Sequence, residues 1–583
     1  MKHLARKAMT MIALLTLAAP LSAGGKYVRV AWDTDPAHNA VVGFTPESRS
    51  GSAYIMYGTA TEESAWKQAD AGELFDHDGF KSRFVHLKNL KEDAPIYFKV
   101  CDDSGCDAAR YWFRTAPTES KPFTFIAGGD TRSGWTTRRK GNALIAKIRP
   151  LFVMHGGDYT SRNTGRDWTQ YFKDWGYTYS SDSIGGTDYK RVYPIVTAHG
   201  NHEDGDYSTL CNVFGVDYNQ DGQCDEYDTY GAMNVTPLLR VYSLNTEFQY
   251  SSWSRQAKAM NQWLKSDLAS EGSSAQWRVA EYHKPMFPHY SGKRENPAIY
   301  QWWAQLFYDK GVNLVVESDS HVFKVTDVLK PQSRDFTASR AGGTMYVGEG
   351  TWGAPPRDSD DAKEWTLDTE SIQQFKVVRV YSDKLEVRTA QFGGNPSTLS
   401  RNDRNQNRTK LPDGVEWWET TGYGKAIVLR QNASGQSTLG KEDNTEETTD
   451  EPKPDPEVTP EPAPAPKPDV KPEPKPTPKP TPKPDVKPEP APAPKPVPDV
   501  RPAPRPNVTP TSDVKPTPKP DVAPEPEAKP DVKPEPKSDM DTEEIDENEV
   551  FFDVLGFGFD WDIDQWFHDW FDDIDFGFNL LRK

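Results

Sequence analysis

Five short blocks of the sequence end an apolar run in side chains able to hold a metal. They are Asp130 in "FIAGGDTRSG", Asp158 in "VMHGGDYTSR", Asn201 and His202 in "VTAHGNHEDG", His283 in "VAEYHKP", and Asp319 with His321 in "VVESDSH". Carboxylate, amide oxygen and imidazole together suit Mn, Fe, Zn or Mg. Singly each block says little, because Gly-Asp after a strand is usually a turn and a buried histidine is usually a satisfied core residue. Five in one region, with Gly-Asn-His-Glu among them, argue for a shared site. Loops at the carboxyl ends of sheet strands are where open α/β folds bind their ligands.

The elements that must position these residues lie between about residues 121 and 432. There, apolar strands such as "FTFIAGG", "PLFVMHGG" and "VNLVVES" alternate with helical stretches such as "RQAKAMNQWLKSDLAS" and "PAIYQWWAQLFYDKG". That alternation predicts an α/β domain whose central strands are buried on both faces. Residues 27–117 instead read as short alternating runs, among them "YVRVAW", "AYIMYG" and "PIYFKV", which predict an antiparallel β-sandwich.

The flanks are of other kinds. Residues 1–24 carry Lys2, Arg6 and Lys7, then the apolar run "MIALLTLAAP", then small residues, the pattern of a secretory signal peptide. A buried N-terminal helix fits less well, because the run is short and stands at the very start. No other run approaches the roughly 20 apolar residues of a membrane span, so the reading is an exported chain, periplasmic, cell-surface or extracellular. Cys101 with Cys106, and Cys211 with Cys224, suit two local disulfides in such a compartment, although four cysteines allow three connectivities. Residues 433–540 are Pro-rich low complexity, in which "PDVKPEP" recurs, and predict a disordered, extended spacer. In the tail, residues 541–583, Ile563, Trp566, Phe567, Trp570, Phe571 and Ile574 recur at helical spacing opposite an acidic face. This amphipathic helix either docks on its own α/β domain or self-associates, or it holds the protein to a surface partner. Its acidic face disfavours anionic lipid. The formal charge of -18 argues against nucleic acid as a partner.

In order and spacing, the five blocks resemble the calcineurin-like metallophosphoesterases, whose pattern is Asp-x-His, Gly-Asp, Gly-Asn-His-Glu, a lone His, and Gly-His-x-His. The purple acid phosphatase branch fits best, because its members also carry an N-terminal fibronectin type III-like sandwich, here residues 27–117. The resemblance covers roughly residues 27 to 430. It implies an α+β and all-β multidomain chain with a four-layered αββα catalytic domain. It also implies hydrolysis of a phosphate ester by a metal-bound hydroxide at a dinuclear site, with monoesters the first expectation. Carried over by position, Asp158 bridges two divalent or mixed-valence ions, with Asp130 and His321 on the first and Asn201, His283 and Asp319 on the second. His202 takes the family's non-ligand histidine position, stabilising phosphoryl charge or protonating the leaving group. Two alternatives stand beside this: a phosphodiesterase or nucleotidase of the same fold, and a surface-displayed binding protein with a vestigial site.

Three departures from the pattern matter. Arg132 stands where the family has a histidine; it cannot ligate a metal, but it can fork onto a phosphate or form a surface salt bridge. Ser161 stands where purple acid phosphatases supply a tyrosine, and Tyr159 is off register, so no iron-tyrosinate chromophore is expected. Asp319 replaces the first histidine of the last block, keeping a donor while making the second site harder and richer in oxygen. His289 and Tyr290 fall where relatives carry substrate-facing histidines, at altered spacing, so His289 is a catalytic candidate with packing as its alternative. His155 and His199 are supporting or structural candidates.

A second kind of metal site is readable in "DYNQDGQCDEYD", residues 217–228. Asp217, Asn219, Asp221, Gly222, Gln223, Asp225 and Asp228 take positions one, three, five, six, seven, nine and twelve of an EF-hand-like loop, with Asp in place of the usual last Glu. The expected ion is calcium and its expected role structural; the bland alternative is a solvated acidic loop.

Overall fold

The computed structural model describes residues 24–47, 51–203, 205 and 207–441. The expected signal peptide, nearly all of the expected Pro-rich spacer and the tail lie outside the described residues.

Two sheets face each other and carry the site. In the first, Phe123–Gly128, Val153–His155 and Ile195–Thr197 run parallel as neighbours, with Gln374–Val380 antiparallel on the other side of the first of them. In the second, Leu239–Ser243, Trp277–Glu281, Leu314–Glu317 and Thr344–Gly348 form a parallel run. Side chains alternate across a strand. Phe125, Met154 and Val196 therefore meet Val241, Val279 and Val316 in one core between the sheets. Ile126, Val153 and Ile195 point the other way, onto the helices Trp135–Ile148 and Gly165–Trp175 through Leu144, Ile145, Trp168 and Phe172. On the far side, Ala280 and Val315 pack against Leu264, Trp303 and Phe307 of the helices Ser254–Ser270 and Pro297–Lys310. The order helix, sheet, sheet, helix is the layering the resemblance implies. Burial on both faces is why these strands read as unbroken apolar runs.

The N-terminal region is β-rich as expected, yet its strands do not stop at a boundary near residue 117. Gly25–Ala31 extends the first sheet by pairing with Ile195–Thr197 through Ala31 and Ile195. Tyr111–Arg114 pairs with Thr187–Arg191 through Tyr111 and Lys190. At the other end, Ser437–Lys441 pairs with Ile427–Gln431, so sheet structure reaches past the expected start of the spacer at residue 433. Hydrophobic period reports strands but not which sheet they join, so these two boundaries were not readable. Cys101–Cys106 and Cys211–Cys224 are the two disulfides. Among the described residues no helix is long and apolar enough to cross a membrane.

A charged cluster is among the polar ties that join the N-terminal strands to the rest. The Asp93 carboxylate receives Arg114 at 2.9 Å, Lys121 at 3.0 Å and Arg408 at 2.6 Å. Burial pushes Asp93 up, but the Arg408 bond and the Arg114 charge, with Lys121, outweigh it and hold the group at about 2. A carboxylate depressed in the folded state contributes stability above its unfolded value near pH 4, and that contribution is lost as pH falls through about 2. Asp93→Asn is expected to cost about 2 kcal/mol at pH 7 and almost nothing near pH 2, measured by denaturant unfolding at both pH values.

Candidate metal centre

All five strands that precede the ligand blocks present their carboxyl ends at one edge, three from the first sheet and two from the second. The chain then turns sharply. Asp130, Asp158, Asp319 and His321 have φ of 58°, 56°, 73° and 56°, the left-handed region that non-glycine residues rarely occupy. Each such residue costs on the order of 1 to 3 kcal/mol and persists where surrounding structure over-determines it, as at ligand clamps. Four of the six sequence-predicted ligands share this conformation. It aims short side chains back over the strand ends instead of out to solvent.

Glu203 fastens two of these turns together. Its buried carboxylate accepts from the backbone N–H of Asp158, Tyr159 and Gly200, each at 2.9 Å. Beside it, the N–H of His202 donates to Asp158 Oδ1 at 2.8 Å. The Glu of Gly-Asn-His-Glu thus holds the Asp158 loop against the Asn201–His202 loop and offers no ligand atom of its own.

The candidate ligands converge in two groups that meet at Asp158. His283 Nδ1 donates to the Gly156 carbonyl at 2.8 Å, which fixes the ring and turns Nε2 inward. That nitrogen lies 3.2 Å from Asp158 Oδ1, 3.2 Å from Asn201 Oδ1 and 3.5 Å from Asp319 Oδ1. Three oxygen acceptors facing one ring nitrogen are stable only around a cation, whether a proton on Nε2 or a metal. In the other group, His321 Nε2 lies 3.0 Å from Asp130 Oδ1, an atom with no hydrogen-bond partner. Asp130, Asp158 and His321 bring donor atoms within 4.8 Å of one another, and all three residues are buried. Burial disfavours a charged His283, but Asp158 and Asp319 outweigh it and push the imidazole well up. Burial likewise opposes ionised Asp158, and His283 overrides it to hold the carboxyl well below its usual range. Donor chemistry and spacing both fit two metal ions.

Residues 102–323 match the family described as calcineurin-like phosphoesterase. This segment is a calcineurin-like phosphoesterase domain. Two uncharacterized proteins of Mycobacterium tuberculosis, from strains CDC 1551 / Oshkosh and ATCC 25618 / H37Rv, are each 26% identical over 339 residues. Those matches cover 50% of this chain and 60% of the relatives' own length. Among solved structures, a purple acid phosphatase isolated from yellow lupin (Lupinus luteus) seeds superposes with a TM-score of 0.52 at 15% identity. The superposition covers 65% of this chain and 75% of that one, a likeness of fold. The calcineurin-like phosphoesterase family implies divalent cations, which Asp130, Asp158 and His321 on one side and Asn201, His283 and Asp319 on the other would hold.

The remaining sequence candidates of the phosphoesterase domain divide. Arg132 is in the site, with Nε 3.5 Å from Asp158 Oδ2 and a guanidinium nitrogen 3.4 Å from His321 Nε2, so it is not a surface salt bridge. His202 donates from Nδ1 to the Ser161 carbonyl at 2.7 Å and keeps Nε2 3.8 Å from Asp158 Oδ2. Ser161 bonds Ser133, and the Tyr159 hydroxyl is turned to the carbonyls of His155 and Ala198, so neither offers a phenolate. His155 stacks on Tyr159 and Trp352, and His199 on Tyr207, as buried supports of the ligand loops. His289 is corrected by the structure from substrate-facing to internal. It is fully buried, and its ring nitrogens meet Glu349 at 3.1 Å and Thr366 at 2.7 Å, which leaves neither free for a substrate.

Two residues were missed. Lys293 places its ammonium on Asp319 Oδ1, and Arg357 donates to the Asp319 carbonyl at 3.0 Å while lying over the Tyr290 ring. Both sit on loops without periodicity, so nothing in their spacing linked them to the ligand blocks. Burial pushes Asp319 up, and Lys293 together with His283 overrides it and holds the carboxyl below its ordinary range. An anionic oxygen ligand at this position favours hard ions. Asp319→His is expected to raise zinc content relative to manganese or magnesium before it abolishes metal binding, read by metal analysis after loading from an equimolar mixture.

Proposed function

We propose that this chain is an exported, metal-dependent phosphoesterase acting on phosphate monoesters in the manner of an acid phosphatase. The observation that carries this reading is the convergence of Asp130, Asp158, Asn201, His283, Asp319 and His321 at one edge of two facing sheets, in two groups sharing Asp158. Two cations bound there would neutralise phosphoryl charge and supply a hydrolytic nucleophile. The chain's own side chains do the rest. Arg132 on one side, Lys293 and Arg357 on the other, complement the two negative charges of a monoester better than the single charge of a diester. His202 Nδ1 donates to the Ser161 carbonyl, so Nε2 is the ring nitrogen left to face the leaving oxygen, accepting a hydrogen bond from it when the ring is neutral and handing it a proton when the ring is protonated. The buried walls of Asp319 and His283 exclude bulk water from the ligands and strengthen each charge contact. Export is supported by the leader-like residues 1–24 and is compatible with the two disulfides.

The reading is tested by hydrolysis of an aryl phosphate monoester and of the corresponding diester by metal-loaded full-length protein. Monoester kcat/KM is expected to exceed that of the diester by about tenfold or more, and the opposite order would overturn the monoester assignment. Arg357→Ala is expected to raise monoester KM about tenfold with a smaller change in kcat, and Arg357→Lys to recover part of the loss.

A further inference from the structure

The loop 217–228 follows the helix Thr209–Phe214 and leads into the turn Glu226–Thr229. It lies between the Gly-Asn-His-Glu block and the strand that leads to His283, and the phosphoesterase mechanism does not use it. Its backbone winds as an ion-binding loop would. The N–H of Gly222 donates to Asp217 Oδ2 at 3.1 Å, that of Asp221 to Asn219 Oδ1 at 3.1 Å, and that of Gln223 to Asp221 Oδ1 at 2.8 Å. Gly222 has φ of 73°, which the tight turn at position six requires. The Cys211–Cys224 disulfide ties the loop to the preceding helix.

Winding alone proves little, since an acidic loop can adopt it in water. The separate observation is Asp228 at the closing position. Its side chain is fully buried, Oδ2 accepts only from the Asp225 N–H at 3.2 Å, and Oδ1 has no partner. Asp217 Oδ1, at the opening position, is likewise buried and unpartnered. A buried carboxylate oxygen without a donor is costly unless a cation or a proton satisfies it. Among the described residues no lysine or arginine forms an ion pair with Asp217, Asp221, Asp225 or Asp228.

We propose that residues 217–228 bind one calcium ion. The donors are the carboxylates of Asp217, Asp221, Asp225 and Asp228, the side-chain oxygen of Asn219 and the main-chain carbonyl of Gln223. Six oxygen donors on a flexible loop favour calcium over magnesium, which demands a tighter octahedron and keeps its waters. The ion fixes a segment on which the catalytic loops lean. Tyr218 within the loop donates from its hydroxyl to the Thr197 carbonyl at 3.2 Å, at the end of the strand that leads to Asn201.

The test measures thermal unfolding of chelator-treated full-length protein with added calcium chloride or magnesium chloride. Wild type is compared with Asp221→Ala, Asp228→Asn and Asp158→Asn, the last disabling the phosphoesterase site and leaving this loop intact. Calcium at about a hundred times its Kd is expected to raise Tm by about 3 °C in wild type and in Asp158→Asn. Magnesium is expected to do much less, and calcium nothing in Asp221→Ala or Asp228→Asn. Should Asp228→Asn fail to fold, Asp221→Ala, on the exposed limb of the loop, decides alone. No shift in wild type, a shift that survives Asp221→Ala, or one that disappears in Asp158→Asn would each overturn the proposal. The last result would assign the calcium to the phosphoesterase site.

Discussion

Asp158→Asn is expected to lower kcat/KM for an aryl phosphate by roughly a thousandfold or more, with little loss of fold. Asp158 is the only residue shared by the two ligand groups, with Oδ1 3.2 Å from His283 Nε2 and Oδ2 3.5 Å from Arg132 Nε. Asparagine keeps the shape and removes the charge. It also places an NH₂ donor where one oxygen now faces cationic or donor groups, either Arg132 and His202 on one side or His283 and the His202 N–H on the other. Neither orientation serves both groups, so both ions should be weakened together. Initial rates on metal-loaded wild type and variant, with circular dichroism to establish folding, measure this.

Glu203→Ala is expected to be the most destabilising single change near the site, costing about 3 to 5 kcal/mol. Three backbone N–H groups, those of Asp158, Tyr159 and Gly200, lose their acceptor in a buried place. Each unsatisfied buried donor costs about 1 to 3 kcal/mol. Relaxation and entering water recover part of the sum. Glu203→Gln keeps one oxygen and turns an NH₂ group on the remaining donors, so an intermediate loss is expected. Urea unfolding of the three proteins orders them. A Glu203→Ala protein as stable as wild type would show that the two loops are held by other contacts.

That these candidate residues gather at one edge was legible in sequence because each closes an apolar strand, and strand ends are visible as composition; their individual ligand roles came only with the resemblance. What the side chains then do depends on backbone angles that composition does not encode. Asp130, Asp158, Asp319 and His321 are all left-handed, and a Gly-Asp pair alone could equally have ended an ordinary turn. An α/β domain with strands buried on both faces was readable from strand and helix alternation and the four layers came with the resemblance, whereas the merging of Gly25–Ala31 into the central sheet was not readable, because pairing partners leave no local trace. Lys293 and Arg357 were invisible for the same reason, reaching Asp319 from loops that begin far from it in spacing if not in space. His289 was a catalytic candidate through the resemblance, at altered spacing and with packing as its alternative. Yet its ring faces Glu349 and Trp365 in the interior.

The central claim is a two-metal centre bridged by Asp158, and the most direct measurement is the transition-metal content of the purified full-length protein and of Asp158→Asn, after identical loading and dialysis. The account predicts about two manganese, iron or zinc ions per wild-type chain and at most a weakly held remnant in the variant. Wild type that holds no such metal, or a variant that retains the full complement, would contradict it.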